Sequence, residues 1–258
     1  MHKLIEPTAQ GEGPASPRPR PPAIEPGRDA LFLDLDGTLA AIRPHPGDVG
    51  PEARRTELLR RLAERLSGRL AVVTGRSLEE ADRILDGACG PLAAVHGLVV
   101  RGPDGQLDTP EASAAVAQAR QALTDFAEER DGLLIEDKGV SVGLHFRGAP
   151  DLQGEAERLG HALAERHGLV AQPGDMVFEL RQPGADKGSA VRRLMALELF
   201  EGYRPIFVGD DLTDEDGFAA AQDLGGHAVL VGAREPSGAD YGLSDVEAVF
   251  AWLEEAVA

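Results

Sequence analysis

The sequence has few of the features that mark a secreted or membrane protein. Its 258 residues include one cysteine, Cys89, so no internal disulfide can form and nothing indicates an oxidising compartment. No stretch approaches the roughly 20 apolar residues that span a bilayer. The first residues lack the apolar centre of a secretory signal. We therefore expect a cytoplasmic protein with no membrane partner.

Positive charge is also scarce, since the net charge is −18. A protein that binds nucleic acid needs a basic face, so we expect no nucleic-acid partner. Lysine is rarer still, because the chain contains only Lys3, Lys138 and Lys187 and otherwise uses arginine. An ammonium group is a compact point charge, which makes the two interior lysines candidates for a specific electrostatic role.

Aspartate, in contrast, is concentrated after short apolar runs. Asp34 and Asp36 follow residues 30–33 in LFLDLDGTL, and the second cluster, GDDLTDED, follows residues 206–208. Two carboxylates about 4 Å apart repel by about 4 kcal/mol at an effective dielectric of roughly 20, so such pairs favour a bound cation, a shared proton or chemistry. A solvated acidic turn is the alternative, and a calcium loop does not fit the spacing. The all-oxygen donors favour Mg²⁺ as the cofactor. The candidate metal-site residues are Asp34, Asp36, Asp210, Asp211 and Asp214.

Two shorter segments carry groups that bind anions. Thr74, Gly75 and Arg76 follow the apolar run 70–73, and Lys187 begins a predicted helix. Hydroxyl and backbone N–H groups at such positions bind phosphate oxygens. The apolar positions of that helix are Val191, Leu194, Met195 and Leu199. Either segment alone is weak evidence of function, whereas four motifs in one order are strong evidence.

In that order, DLDGTL, TGRS, the Lys187 segment and GDDLTDED resemble the four motifs of the haloacid dehalogenase-like (HAD) phosphatases. The strings AVHGLVV, IEDKGVSVGLHFR, VFELRQPGADKG and VGDDLTDEDGF are more specific, and they resemble trehalose-6-phosphate phosphatases. The similarity covers about residues 29–250. Leu35 and Gln182 depart from the usual pattern, but neither position carries a chemical role. The resemblance implies hydrolysis of trehalose 6-phosphate, the last step of trehalose biosynthesis.

The expected fold class is α/β, a doubly wound parallel-sheet, Rossmann-like HAD core with an inserted smaller α+β cap domain. Alternating strands and helices predict the parallel sheet. A hairpin centred on residues 137–139 predicts antiparallel strands in the cap. The predicted units are a disordered Pro-rich tail (1–28), a first core segment (29–107), the cap (108–182) and a second core segment (183–258).

The resemblance also implies a mechanism. Asp34 would be the nucleophile that forms an aspartyl-phosphate, and Asp36 would protonate the departing sugar oxygen and then activate water. Lys187 and Thr74 would hold phosphoryl oxygens, with Gly75 and Arg76 beside them. Asp34, the Asp36 main-chain carbonyl and Asp210 would bind Mg²⁺. Asp211 and Asp214 would orient these groups.

Strand alternation in the cap places Ser141, Gly143, His145 and Arg147 on one face. From periodicity alone, a solvated polar face is the favoured interpretation. The resemblance instead implies that cap residues bind the sugar. These residues are Glu136, Lys138, Arg147 and Glu179. His145 and His96 are interpreted as structural.

Other functions remain open on the sequence alone. The substrate could be another sugar phosphate, such as sucrose phosphate or mannosylphosphoglycerate. A non-catalytic sensor of the same fold and a phosphotransferase are further alternatives, since fold does not fix function. The expected partner is a small-molecule sugar phosphate, and the sequence gives no oligomeric state.

Overall fold

The computed structural model describes residues 18–43, 45–174 and 176–258. The portion of the predicted tail that precedes residue 18 lies outside these ranges. Within them, no helix is long and apolar enough to cross a membrane.

The first portion of the chain alternates strands with helices. Its elements are β1 (Asp29–Leu33), α1 (Ala53–Arg65), β2 (Leu70–Val73), α2 (Leu78–Leu85), β3 (Leu92–Ala94), β4 (Val99–Arg101) and β5 (Leu107–Asp108). Every residue of β1 is buried, as expected for a strand covered by helices on both faces. α2 begins with a capping box, in which the Ser77 hydroxyl accepts from the Glu80 N–H and the Glu80 carboxylate accepts from the Ser77 N–H.

A second, smaller unit follows. Its elements are α3 (Ala114–Glu128), β6 (Leu134–Asp137), β7 (Ser141–His145), α4 (Gln153–His167), β8 (Val170–Gly174) and β9 (Val177–Arg181). The strands pair antiparallel in the order β6-β7-β9-β8. Leu144, Phe178 and Leu180 are fully buried in a separate apolar core with residues of α3 and α4. The opposite face of this sheet is therefore the one left for polar side chains.

The remaining chain completes the core. Its elements are α5 (Lys187–Met195), β10 (Arg204–Gly209), α6 (Asp214–Asp223), β11 (His227–Val231), β12 (Tyr241–Leu243) and α7 (Val246–Glu255). The eight strands lie in the order β12-β11-β10-β1-β2-β3-β4-β5. Leu31 and Leu33 pack with α1, α2 and α7 on one face, whereas Phe32 packs with α5 and α6 on the other. The core is thus doubly wound, and β1 is central.

Two details of the core differ from the sequence prediction. β4 runs antiparallel to β3, because a turn at residues 95–97 with positive φ angles reverses the chain after β3, and β5 pairs antiparallel with β4 across a second turn. The core sheet is therefore mixed at that edge. The helix that begins at Lys187 ends at Met195, so Leu199 belongs to the following turn, where it packs partly buried against the core.

Residues 18–28 pack on the core, although the sequence predicted a disordered tail through residue 28. Arg18 donates to the Ala239 carbonyl at 3.0 Å, and Trp252 Nε1 donates to the Pro22 carbonyl at 2.9 Å. The Pro19 carbonyl accepts from Gly242 N–H of β12 at 3.0 Å. These contacts use carbonyl oxygens and a guanidinium, so apolar periodicity could not have predicted them.

Candidate active site

The predicted catalytic residues converge at the carboxyl ends of three neighbouring strands. β1 lies between β10 and β2 with parallel register, Leu33 beside Val208 and Val72. Asp34 therefore follows β1 next to the end of β10, and its N–H donates to the Val208 carbonyl at 2.9 Å. Thr74 follows β2 on the other side. This edge of an open α/β sheet is where ligands bind.

Lys187 is buried among carboxylates. As the first residue of α5, its Nζ lies 2.7 Å from Asp34 Oδ1 and 2.7 Å from Asp214 Oδ1. Burial opposes its charge, but the carboxylates of Asp214 and Asp34 outweigh this effect and raise the pKa of Lys187 above its ordinary value. Burial also raises the pKa of Asp34 well above its ordinary value, whereas Lys187 works in the opposite direction. Lys187 is therefore a permanent cation that favours the ionised form of Asp34.

The buried Asp214 carboxylate stabilises the loop that carries Asp210 and Asp211. It is completely buried, and its Oδ2 accepts from the N–H groups of Asp210 and Asp211, both at 3.0 Å. Asp211 accepts from Thr213 N–H and hydroxyl at 2.8 and 2.6 Å. Asp214 thus fixes the main chain of the loop that carries Asp210 and Asp211.

Asp210 is different, because Asp210 Oδ1 is buried with no hydrogen-bond partner among the described residues. Burial, together with the charges of Asp214 and Asp211, raises the pKa of Asp210 to about 7. Oxygens of Asp34, Asp210 and Asp214 lie within 4.8 Å of one another. Three carboxylates and an unsatisfied buried oxygen fit a hard divalent cation such as Mg²⁺.

Gly37 is required for the approach of Asp210 to the first motif. Its φ is +82°, and a Cβ at this position would lie within 2.5 Å of the Asp210 carboxylate. Only glycine combines that backbone conformation with that contact. The first acidic motif, which follows β1, therefore lies in direct contact with the second, which follows the neighbouring strand β10.

The Asp36 carboxylate forms an ion pair with Arg76, whereas that of Asp34 pairs with Lys187. Both of its oxygens accept from the Arg76 guanidinium, Oδ2 from Nε at 2.6 Å and Oδ1 from Nη2 at 2.7 Å. Arg76 is largely buried and also lies 3.6 Å from Glu80. Its main-chain N–H donates to the Thr74 hydroxyl at 3.2 Å. Asp36 is thereby tied to the Thr74–Arg76 segment.

The cap contributes a second cluster of charge. Lys138 Nζ donates to Glu179 Oε2 at 2.8 Å and to the Gly75 carbonyl of the core at 3.1 Å. Burial opposes the Lys138 charge, but Glu179 and Glu136 raise its pKa above the ordinary value. Glu136 Oε2 lies 2.9 Å from His145 Nε2. Burial opposes ionisation of Glu136, yet His145 and Lys138 lower its pKa to about 2.

A cavity of about 300 Å³ separates this cap cluster from the core carboxylates. Every predicted site residue except Asp214 lines it, including Arg147. His145, Arg147 and Glu179 of the polar face of the cap sheet therefore line the cavity, whereas periodicity alone favoured a solvated face. The additional lining residues are Ile42, Arg43, Glu80, His96, His145, Val177 and Thr213. Among these, His145 shares its predicted strand face with Arg147, and Glu80 lies four positions after Arg76.

The turn at residues 95–97 lies beside the same cavity. Val95, His96 and Gly97 have φ angles of 48°, 54° and 91°. A β-branched residue such as Val95 rarely adopts this conformation, which costs roughly 1–3 kcal/mol. The absence of a Cβ at Gly97 admits the Asp186 carbonyl, which would lie 2.5 Å from such a Cβ. Asp186 is the N-cap of the helix that begins with Lys187.

Comparison with known proteins agrees with the resemblance carried by the sequence motifs. A family model described as trehalose-phosphatase matches residues 32–247. The chain is 39% identical over 210 residues to a probable trehalose-phosphate phosphatase of Sinorhizobium fredii. This alignment covers 81% of this chain and 79% of that protein. It is 36% identical over 227 residues to trehalose-6-phosphate phosphatase of Escherichia coli. That alignment covers 87% of this chain and 85% of the relative.

The fold comparison agrees as well. The crystal structure of a trehalose-6-phosphate phosphatase related protein superimposes with a TM-score of 0.73 at 27% identity, and covers 88% of this chain and 96% of that one. The predicted HAD-like α/β fold is therefore confirmed.

Proposed function

Because the chain belongs to the trehalose-phosphatase family, we propose that it is a phosphoric monoester hydrolase that releases phosphate from trehalose 6-phosphate. One observation carries the proposal. A carboxylate cluster with a buried lysine, Asp34, Asp210 and Lys187, lies across a cavity from the charged cap residues Lys138 and Glu179. The first group suits a phosphoryl centre, and the second suits the hydroxyls of a sugar.

The core residues act on phosphorus. Asp34 attacks in line and forms an aspartyl-phosphate, while Lys187 favours the ionised form of the Asp34 carboxylate and neutralises charge on the phosphoryl group. The Thr74 hydroxyl holds another phosphoryl oxygen. Mg²⁺ held by Asp34, Asp210 and the Asp36 main-chain carbonyl would supply further neutralisation of those oxygens.

In this scheme Asp36 enters the reaction protonated. It gives that proton to the sugar oxygen as the bond between this oxygen and phosphorus breaks, and it then takes a proton from the water that displaces Asp34 from phosphorus. Its carboxylate is bound by Arg76 on both oxygens in the structure. Proton transfer therefore requires that substrate binding loosens this ion pair. Arg76 lines the cavity, so a phosphate or sugar oxygen is within its reach as the new partner.

The cap supplies the sugar contacts. Glu136, Lys138, Arg147 and Glu179 all face the cavity, and carboxylates and cations bind hydroxyls in pairs. Lys138 also contacts the core at Gly75, so the residues that bind the sugar are positioned relative to the phosphoryl site.

The test is phosphate release with Mg²⁺ from a panel of sugar phosphates, with a chelator and Asp34→Asn as controls. We expect strong preference for trehalose 6-phosphate and no release in either control. Asp82→Asn is the matched variant, because Asp82 pairs with Arg101 away from the cavity, and it should retain activity.

The other outcomes are equally informative. Preference for sucrose phosphate or mannosylphosphoglycerate would retain the chemistry and reject the four cap assignments. Transfer of phosphate to an acceptor other than water would indicate a phosphotransferase. Inactivity toward every substrate would favour the sensor. Full activity of Asp34→Asn would refute the nucleophile.

A further inference from the structure

His96 lies where the core and the cap meet. Its ring packs against Gly75, since a Cβ at Gly75 would lie 2.5 Å from ring atoms Cε1 and Nε2. On the cap side, Gln172 of β8 lies with its Nε2 3.3 Å from His96 Nε2. The imidazole is therefore held between the segment that follows β2 and a strand of the cap.

The direction of the hydrogen bond between His96 and Gln172 follows from a third residue. Gln172 Oε1 already accepts from Arg181 Nε at 3.1 Å, so the amide NH₂ of Gln172 faces His96 and donates to it. His96 Nε2 is then the acceptor, which assigns a neutral ring with its proton on Nδ1, a buried atom that has no hydrogen-bond partner among the described residues. Burial lowers the pKa of His96 to about 4, which is consistent with a neutral ring.

These contacts form a continuous path across the cap. Arg181 Nη1 donates to the Ala185 carbonyl, in the linker that leads from β9 to α5. The path therefore runs from Ala185 through Arg181 and Gln172 to His96. A further side-chain contact between cap and core, from Lys138 to the Gly75 carbonyl, reaches the same segment.

The core holds His96 firmly from its own side. The ring is carried on the left-handed turn of Val95 and Gly97, and Gly97 packs directly against the N-cap of α5. Arg193 Nη1 also donates to the Gly97 carbonyl at 2.9 Å. The ring therefore has a fixed position relative to the helix that carries Lys187.

We infer that His96 is a positioning residue that fixes the cap over the site. Its neutral imidazole sets the separation between β8 and Gly75, and with it the separation of Lys138 and Glu179 from the core carboxylates. His96 acts on the substrate only through these residues. The inference rests on the proposed function, in which the cap binds the sugar.

His96→Asn tests this role with the least change to the backbone, because asparagine tolerates a left-handed conformation and is too short to replace the ring. We expect KM for trehalose 6-phosphate to rise about tenfold, the effect of losing one hydrogen bond and its packing. kcat/KM for p-nitrophenyl phosphate, which has no sugar for the cap to bind, should not change. Gln172→Ala should act in the same direction, and the double variant should be no worse than either single one.

The control is His227→Asn, because His227 packs edge-on against Tyr241 in the core sheet and lies outside the cavity lining. It should leave both substrates unaffected. Equal losses on both substrates in His96→Asn would mean that His96 supports only the catalytic centre, which would overturn the inference. Additive losses in the double variant with Gln172→Ala would also overturn it.

A substrate-independent measurement completes the test. Spin labels at Glu57→Cys of α1 and Glu165→Cys of α4 report the distance between core and cap, since both sites are exposed and Cys89 is buried. We expect a narrow distance distribution that broadens in His96→Asn and not in His227→Asn. An unchanged distribution overturns the inference. If the protein cleaves p-nitrophenyl phosphate but no trehalose 6-phosphate, the proposed substrate fails and the distance measurement still decides the role of His96.

Discussion

A Gly37→Ala variant tests whether activity depends on the position of the Asp210 carboxylate. Its effect must be distinguished from the cost of placing alanine in a left-handed backbone conformation. The new Cβ would lie within 2.5 Å of the Asp210 carboxylate, whereas ordinary contact begins at 3.4 Å. The carboxylate must therefore move by about 1 Å, a displacement that costs about 100-fold in rate when it occurs at a reacting centre. Because Asp210 carries the unsatisfied oxygen of the proposed Mg²⁺ site, the variant should also require more Mg²⁺.

Gly105→Ala is the matched control for this experiment. Gly105 has φ +79°, close to the +82° of Gly37, but nothing lies within 4 Å of its hypothetical Cβ. Both variants incur the left-handed penalty of about 1–2 kcal/mol, or roughly 2–8 °C in Tm for a chain of this size.

The assay measures the phosphate release rate against Mg²⁺ concentration for both variants and the parent. We expect Gly105→Ala to match the parent and Gly37→Ala to lose rate and metal affinity together. If Gly37→Ala loses only the Tm that Gly105→Ala loses and keeps its Mg²⁺ dependence, Asp210 is not a metal ligand and the argument fails.

Three further predictions concern stability and reactivity. Trp252→Phe removes the hydrogen bond to the Pro22 carbonyl, so it should lower the free energy of unfolding, measured by chemical denaturation, by about 1 kcal/mol. An unchanged value would mean that this contact of residues 18–24 does not stabilise the protein. Without metal, the raised pKa of Asp210 contributes stability below about pH 4 that is lost as the pH rises through about 7. Tm measured against pH with a chelator should show this decline, Mg²⁺ should reduce it, and an equal slope with and without Mg²⁺ would contradict the assignment. Burial raises the pKa of the Cys89 thiol to about 12, so a disulfide reagent should label it only after denaturation. Rapid labelling of the native protein would show that the site is accessible.

The sequence predicted the positions of the proposed catalytic side chains better than it predicted their hydrogen-bond partners. Asp34, Thr74 and Asp210 each follow an apolar strand, and parallel strands bring such positions to one edge. That local rule does not reveal that Asp36 pairs with Arg76, because an ion pair between residues 40 positions apart depends on the turn that each occupies.

Two further features were not predicted, each for its own reason. The reversal before β4 depends on three consecutive left-handed residues, including Val95, whose residue type argues against that conformation. The packing of residues 18–28 depends on Trp252 and Gly242, which lie more than 200 positions away and carry no signal in the Pro-rich segment itself.

The pairing of β1 with β10 has a consequence for how the protein is made. β1 ends at Leu33 and its partner strand begins at Arg204, so the whole inserted unit lies in sequence between Asp34 and the strand beside it. During synthesis from the N-terminus, one edge of the central strand therefore stays unpaired until the chain has passed residue 209. Such long-range parallel pairing forms slowly and leaves an apolar edge exposed in the meantime. Activity should consequently appear only with the completed chain, and an interrupted one should be both inactive and prone to aggregate.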